Sequence, residues 1–108
     1  MNIEITPEFQ QKIRSLSKRY RKIRSDLEPI LDQLRQGEAI GDQIRGVGFP
    51  VYKLRVKNSN IQKGKSGGYR LIYWLKLKNT IVLLDIYSKS DQVDLDVQVI
   101  RKIIERSS

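Results

Sequence analysis

The chain contains neither cysteine nor histidine. Without cysteine, disulfides and thiolate metal sites are excluded, and the sequence carries no marker of its redox compartment. Without histidine, there can be no histidine-containing catalytic triad, no imidazole-built zinc site and no ribonuclease working through paired histidines. Acid–base chemistry therefore falls to Lys, Tyr, Asp or Glu. No apolar run approaches membrane-spanning length, and "MNIEITPEFQQ" lacks the apolar core of a signal peptide. The expectation is a soluble, cytoplasmic protein that does not engage a membrane. Acidic residues are also scarce: 12 Asp and Glu stand against 21 Lys and Arg, a formal charge of +9. That excess favours an anionic partner, whether nucleic acid, an anionic membrane surface or an acidic protein.

The 108 residues suit one domain, residues 1–108, with a single core. No internal repeat, low-complexity segment or linker interrupts them. "NIEIT" alternates Ile3 and Ile5 and reads as a short strand. Thr6-Pro7 then supplies a hydroxyl cap and a proline at the first helical position, opening a helix to about Arg19 or Tyr20. Phe9, Ile13 and Leu16 lie along one of its faces. A second helix precedes Gly37, with Leu27, Ile30, Leu31 and Leu34 as its stripe. Ser25 and Glu28 suit a capping box, and Pro29 kinks the helix if it starts earlier.

After Gly37 the period changes. "AIGDQIRGVGFP" is a glycine-punctuated connection with room for a short strand at Gln43 to Arg45. "VYKLRVK" alternates Tyr52, Leu54 and Val56 against Lys53, Arg55 and Lys57. "YRLIYWLKL" and "TIVLLDIYSK" read as two more strands around a turn at Lys78-Asn79. In the last of these, Val82, Leu84 and Ile86 are expected on one face, and Asp85, Tyr87 and Lys89 on the other with Ile81 and Leu83. A closing helix is expected from about Asp94 to Arg106, with Leu95, Val99 and Ile103 stacked. The predicted class is α+β: an N-terminal helical hairpin packed on an antiparallel sheet, with a short C-terminal helix.

The alternation turns Lys53, Arg55, Lys57, Arg70 and Lys89 away from the core. Like charges on adjacent strands oppose folding, so this basic face points to a bound anion. The loop "KGKSGG" before Tyr69 adds Lys63 and Lys65, and Gly64, Gly67 and Gly68 let its backbone approach a nucleotide. Cutting an RNA backbone needs a base for the 2′-OH, an acid for the leaving 5′-oxygen and cations for the phosphorane. A lysine crowded by cations, Lys63 or Lys65, suits the base. Arg55 and Arg70 suit phosphate clamping, and Lys89 a third contact or the proton donor. Tyr87, beside Lys89, suits base stacking or proton transfer. The bland readings are solvated loop lysines, turn glycines, core positions for Tyr69, Tyr73 and Trp74, and Asp85 and Asp91 as partners of Arg70 and Lys89. Composition alone stops at a basic α+β anion binder.

"KGKSGGYRLIYW", followed by "IVLLDIYSKSDQVDLD" and a closing helix, resembles the RelE/ParE superfamily of bacterial type II toxin–antitoxin toxins, with the nearer likeness to RelE- and HigB-type toxins. The resemblance covers nearly the whole chain, although only the C-terminal motif pair is specific. It implies a compact RelE-like fold with a curved antiparallel sheet. It also implies cleavage of mRNA in the ribosomal A site, with no metal or other cofactor. The implied partners are the ribosome, mRNA and a cognate antitoxin, with DNA contacted only through that antitoxin. Lys63 and Lys65 match the loop lysines of such toxins, and Arg70 the arginine on the scissile phosphate. Lys89 falls where relatives carry a basic residue acting as acid or stabilising charge, and Arg55 at a position often basic. The final helix departs from the pattern: "VDLDVQVIRKIIERSS" has no aromatic residue, which leaves the general base unassigned between Tyr87 and a lysine. Two further readings are a ParE-type DNA gyrase inhibitor on the same fold and a non-enzymatic RNA-binding module, which would bind RNA salt-dependently and leave it intact.

Overall fold

A computed structural model describes residues 1–38, 41–61, 67–92 and 94–107. The elements in order are β1 (Asn2–Ile5), α1 (Pro7–Arg19), α2 (Ile23–Arg35), β2 (Asp42–Gln43), β3 (Val51–Val56), β4 (Tyr69–Leu77), β5 (Thr80–Ser88) and α3 (Val97–Ser107). The class is α+β, with five strands in the order β1-β5-β4-β3-β2. Strands β3, β4 and β5 form the expected antiparallel meander, since short connections join neighbours in that sense. The sheet is not wholly antiparallel, however. β1 runs parallel to β5, from Asn2 opposite Thr80 to Ile5 opposite Leu83, so the sheet is mixed.

Thr6 opens α1 as expected. Its hydroxyl accepts from the Phe9 N–H at 3.1 Å and donates to the Leu83 carbonyl at 2.8 Å, tying the helix start to β5. The capping box at Ser25 does not form, because α2 already begins at Ile23. Ser25 instead donates to the Lys22 carbonyl at 2.9 Å, and Pro29 sits inside the helix. The start of α2 is met from across the chain. The Lys22 N–H donates to Asn60 Oδ1 at 3.1 Å, and Asp26 Oδ2 accepts from the Ser59 N–H at 2.9 Å. These bonds dock the segment entering the glycine–lysine loop.

Each face of the sheet carries its own core. Phe9, Ile13, Ile23, Leu27 and Leu34 from α1 and α2 pack with Val56, Tyr69, Leu71, Tyr73, Ile81, Leu83 and Ile86. On the opposite face Ile100, Ile103 and Ile104 of α3 pack with Val51, Ile72, Trp74, Val82, Leu84 and Tyr87. Tyr69, Tyr73 and Trp74 are thus core residues, as the bland reading had it.

The expected faces of β5 need correcting. Ile72 pairs with Asp85, but the next residue, Tyr73, pairs with Leu83, leaving Leu84 as an extra residue. This bulge shifts the alternation by one. Ile86 consequently shares a face with Ile81 and Leu83, while Tyr87 shares the other with Val82 and Leu84. The last helix also begins later than expected. Asp96, not Asp94, precedes it, its side chain accepting from the Gln98 N–H at 2.9 Å. The buried stripe becomes Ile100, Ile103 and Ile104, and Val99 is exposed. No described helix is long and apolar enough to cross a membrane.

Candidate functional site

The α3 face of the sheet is only partly apolar. Toward the end of β3 and the start of β4 it changes character: Arg55 lies directly opposite Arg70, and Arg70 directly opposite Tyr87. Residues opposed across a strand pair project to the same side, so the register brings the two arginines and the tyrosine together on three neighbouring strands. Arg55 is exposed, whereas Arg70 retains only 7% of its accessible surface. This corrects the expectation of an open Arg70, which points away from α1 and α2 yet is enclosed. Its Nη1 donates to the Tyr69 carbonyl at 3.2 Å. Among the described residues neither Arg55 nor Arg70 forms an ion pair with a carboxylate. Burial, and next the Arg55 charge, lowers the Arg70 pKa from its ordinary value, with Tyr87 opposing. Arginine stays protonated at neutral pH in spite of such shifts.

Tyr87 is 2% exposed, and among the described residues its hydroxyl has no hydrogen-bond partner. Burial, then the charges of Asp94 and Asp85, raise its pKa, with Arg70 acting the other way. A phenol held neutral in this manner is a poor base and a competent hydrogen-bond donor.

The remaining predicted residues fall around this trio. Lys53 precedes Arg55 by two residues on β3, and its Nζ lies 3.4 Å from Asp94 Oδ1. Lys57 follows β3 and is exposed. Lys89 follows β5, and its backbone N–H donates to the Gly68 carbonyl at 2.9 Å, which holds it beside the start of β4. Gly67 is buried. Gly68 has a structural reason to be glycine: a Cβ there would stand 2.5 Å from the Val56 carbonyl oxygen, and 3.6 Å from Arg70 Nη1. Lys63 and Lys65 lie outside the described residues.

One expected partnership is replaced: Asp85 pairs with Lys12 at 3.2 Å, not with Arg70. Asp91 pairs with Arg19 at 2.6 Å. Both cations come from α1, some seventy residues earlier, so no local spacing signals them. Asp94 is the residue that sequence reasoning missed. Its pKa is lowered by the Leu95 N–H first, then by Lys53 and Lys89, which places one carboxylate at the rim of the basic cluster.

The family model for the ParE toxin of type II toxin–antitoxin system, parDE, matches residues 3–93. The chain belongs to this family. It is a type II toxin of the RelE/ParE superfamily, and a toxin of that kind has a cognate antitoxin as partner. The match takes in β1 from Ile3 onward, the other four strands of this ParE-family chain and both arginines, and ends before Asp94 and α3.

Proposed function

We propose that this toxin is a ribosome-dependent mRNA endonuclease. The observation that carries the reading is the cross-strand pair Arg55–Arg70, two guanidiniums on one face with no carboxylate between them among the described residues. Like charges placed so oppose folding, and a bound phosphate relieves them. In the proposed reaction the 2′-oxygen of a nucleotide attacks the adjacent phosphorus and the bond to the 5′-oxygen breaks. A cyclic phosphate and a free 5′-hydroxyl result. Arg70 and Arg55 hold the phosphoryl oxygens as charge develops on them. Lys63 or Lys65 takes the 2′-OH proton, and Lys89 donates one to the leaving oxygen. Lys53, Lys57 and the Gly67-Gly68 backbone guide the flanking RNA.

The family description, ParE toxin, favours a second reading, inhibition of DNA gyrase by binding. Primer extension on mRNA from cells briefly expressing the protein separates the two. The expected result is cuts within translated codons that vanish with Arg70→Ala and when translation is blocked. Growth arrest with intact mRNA overturns the nuclease reading in favour of gyrase.

A further inference from the structure

Three features of the polar corner are unfavourable in the free protein. Among the described residues a hydroxyl is buried without a partner at Tyr87, a guanidinium is largely desolvated at Arg70, and a second guanidinium faces it from Arg55. Each opposes folding in the absence of a ligand. They occupy consecutive positions across one face, so a single oxyanion seated there relieves all three. Buried polar groups left unmet in a folded chain are a mark of functional sites, where local consistency yields to chemistry. Leu84 sets up the arrangement. Were regular pairing to continue from Tyr73 opposite Leu83, Ile86 would lie opposite Arg70 and Tyr87 would turn toward α1 and α2.

We propose that Tyr87 is a phosphate-contacting residue, its hydroxyl donating as a neutral phenol to a phosphodiester oxygen held by Arg55 and Arg70. The inference rests on the nuclease reading for the identity of the anion, and assigns within it a donor in place of a base. Asp94 and Asp85 support the assignment, since negative charge nearby keeps the phenol protonated and so able to donate. The ring itself belongs to the apolar cluster with Val51, Ile72 and Leu84, and its oxygen alone is unmet among the described residues.

The test compares the purified toxin with Tyr87→Phe and Arg70→Ala. The probes are inorganic phosphate and a short RNA in which the 2′-hydroxyl at the cut site is replaced by hydrogen. Binding is measured by calorimetry and unfolding by thermal melting. Tyr87→Phe is expected to melt at the same temperature or higher, because it deletes an unpartnered group, and to bind the RNA about tenfold or more weakly, the usual worth of a hydrogen bond to a charged acceptor. Weaker RNA binding with unchanged phosphate binding assigns the contact to a phosphodiester. Weakening of both assigns a general oxyanion contact, and either supports the donor. RNA binding lost in Arg70→Ala but unchanged in Tyr87→Phe overturns the role of Tyr87 and leaves the arginine reading standing. Unchanged binding in both variants overturns the anion site itself. A lower melting temperature for Tyr87→Phe shows the hydroxyl to be satisfied in the free protein, and also overturns the proposal.

Discussion

The two halves of the sheet's α3 face are built from the same strands and come out differently. One half is apolar: Ile72, Trp74, Val82 and Leu84 close against Ile100, Ile103 and Ile104, and α3 covers them. The other half holds Arg55, Arg70 and the Tyr87 hydroxyl, and no described carboxylate answers the two guanidiniums. The first half is folded for itself. The second is organised for something the chain does not contain, and the comparison teaches that a site can be recognised by the interactions it leaves unmade.

The largest effect should come from breaking the apolar half. Leu84→Ala removes a fully buried side chain at the bulge and is expected to cost about 2–5 kcal/mol in urea unfolding. A negligible change would mean that the second core does not hold the sheet. In the polar half, Arg70→Ala is expected to lower the cleavage rate about 10²–10³-fold, as removal of one preorganised donor does, while unfolding stays cooperative. Arg70→Lys should also be impaired, because a point charge does not replace a planar fork. Full activity in Arg70→Lys would reduce the site to mere positive charge.

A smaller effect belongs to the face under α1 and α2. Burial pushes the Tyr69 pKa up to about 12, against a hydrogen bond from Asn60 that lowers it. In the unfolded chain the phenol ionises near its ordinary value, so between the two the folded form binds more protons. Stability is therefore complete below the unfolded pKa and falls as pH rises toward the folded one. From about pH 9 to about pH 11 the loss should be about 1 kcal/mol, and Tyr69→Phe should flatten it. The smallest expected effect is at the rim. Asp94→Asn frees Lys53 from the carboxylate it pairs with, and RNA affinity should rise about two- to fivefold, in line with an exposed ion pair. Weaker RNA binding in that variant would give Asp94 a role in holding the site together.

Much of this was legible in the chain. Strict alternation in "VYKLRVK" and the positions of Arg70 and Tyr87 in their strands were enough to place the basic residues on one face. The bulge was not legible, because Val82, Leu83 and Leu84 are all apolar and fit either face equally well. The parallel pairing of β1 with β5 was hidden for another reason, since it joins the two most distant strands and leaves no local mark. The enclosure of Arg70 and the pairing of Asp85 with Lys12 depend on how elements pack over the sheet, which periodicity does not report. Helix α3 was misplaced at its start because Asp94 and Asp96 both suit a cap, and only the second is used.

On the proposed reading Arg55 and Arg70 oppose one another in the free protein, and a bound anion reconciles them. Arg55→Ala tests it most directly, with urea unfolding of the variant and the parent measured with and without the uncleavable RNA. The expected result is opposite signs: the variant is more stable than the parent alone, by about 0.2–1 kcal/mol, and less stabilised by the RNA. A variant that is less stable alone and equally stabilised by RNA would contradict the claim.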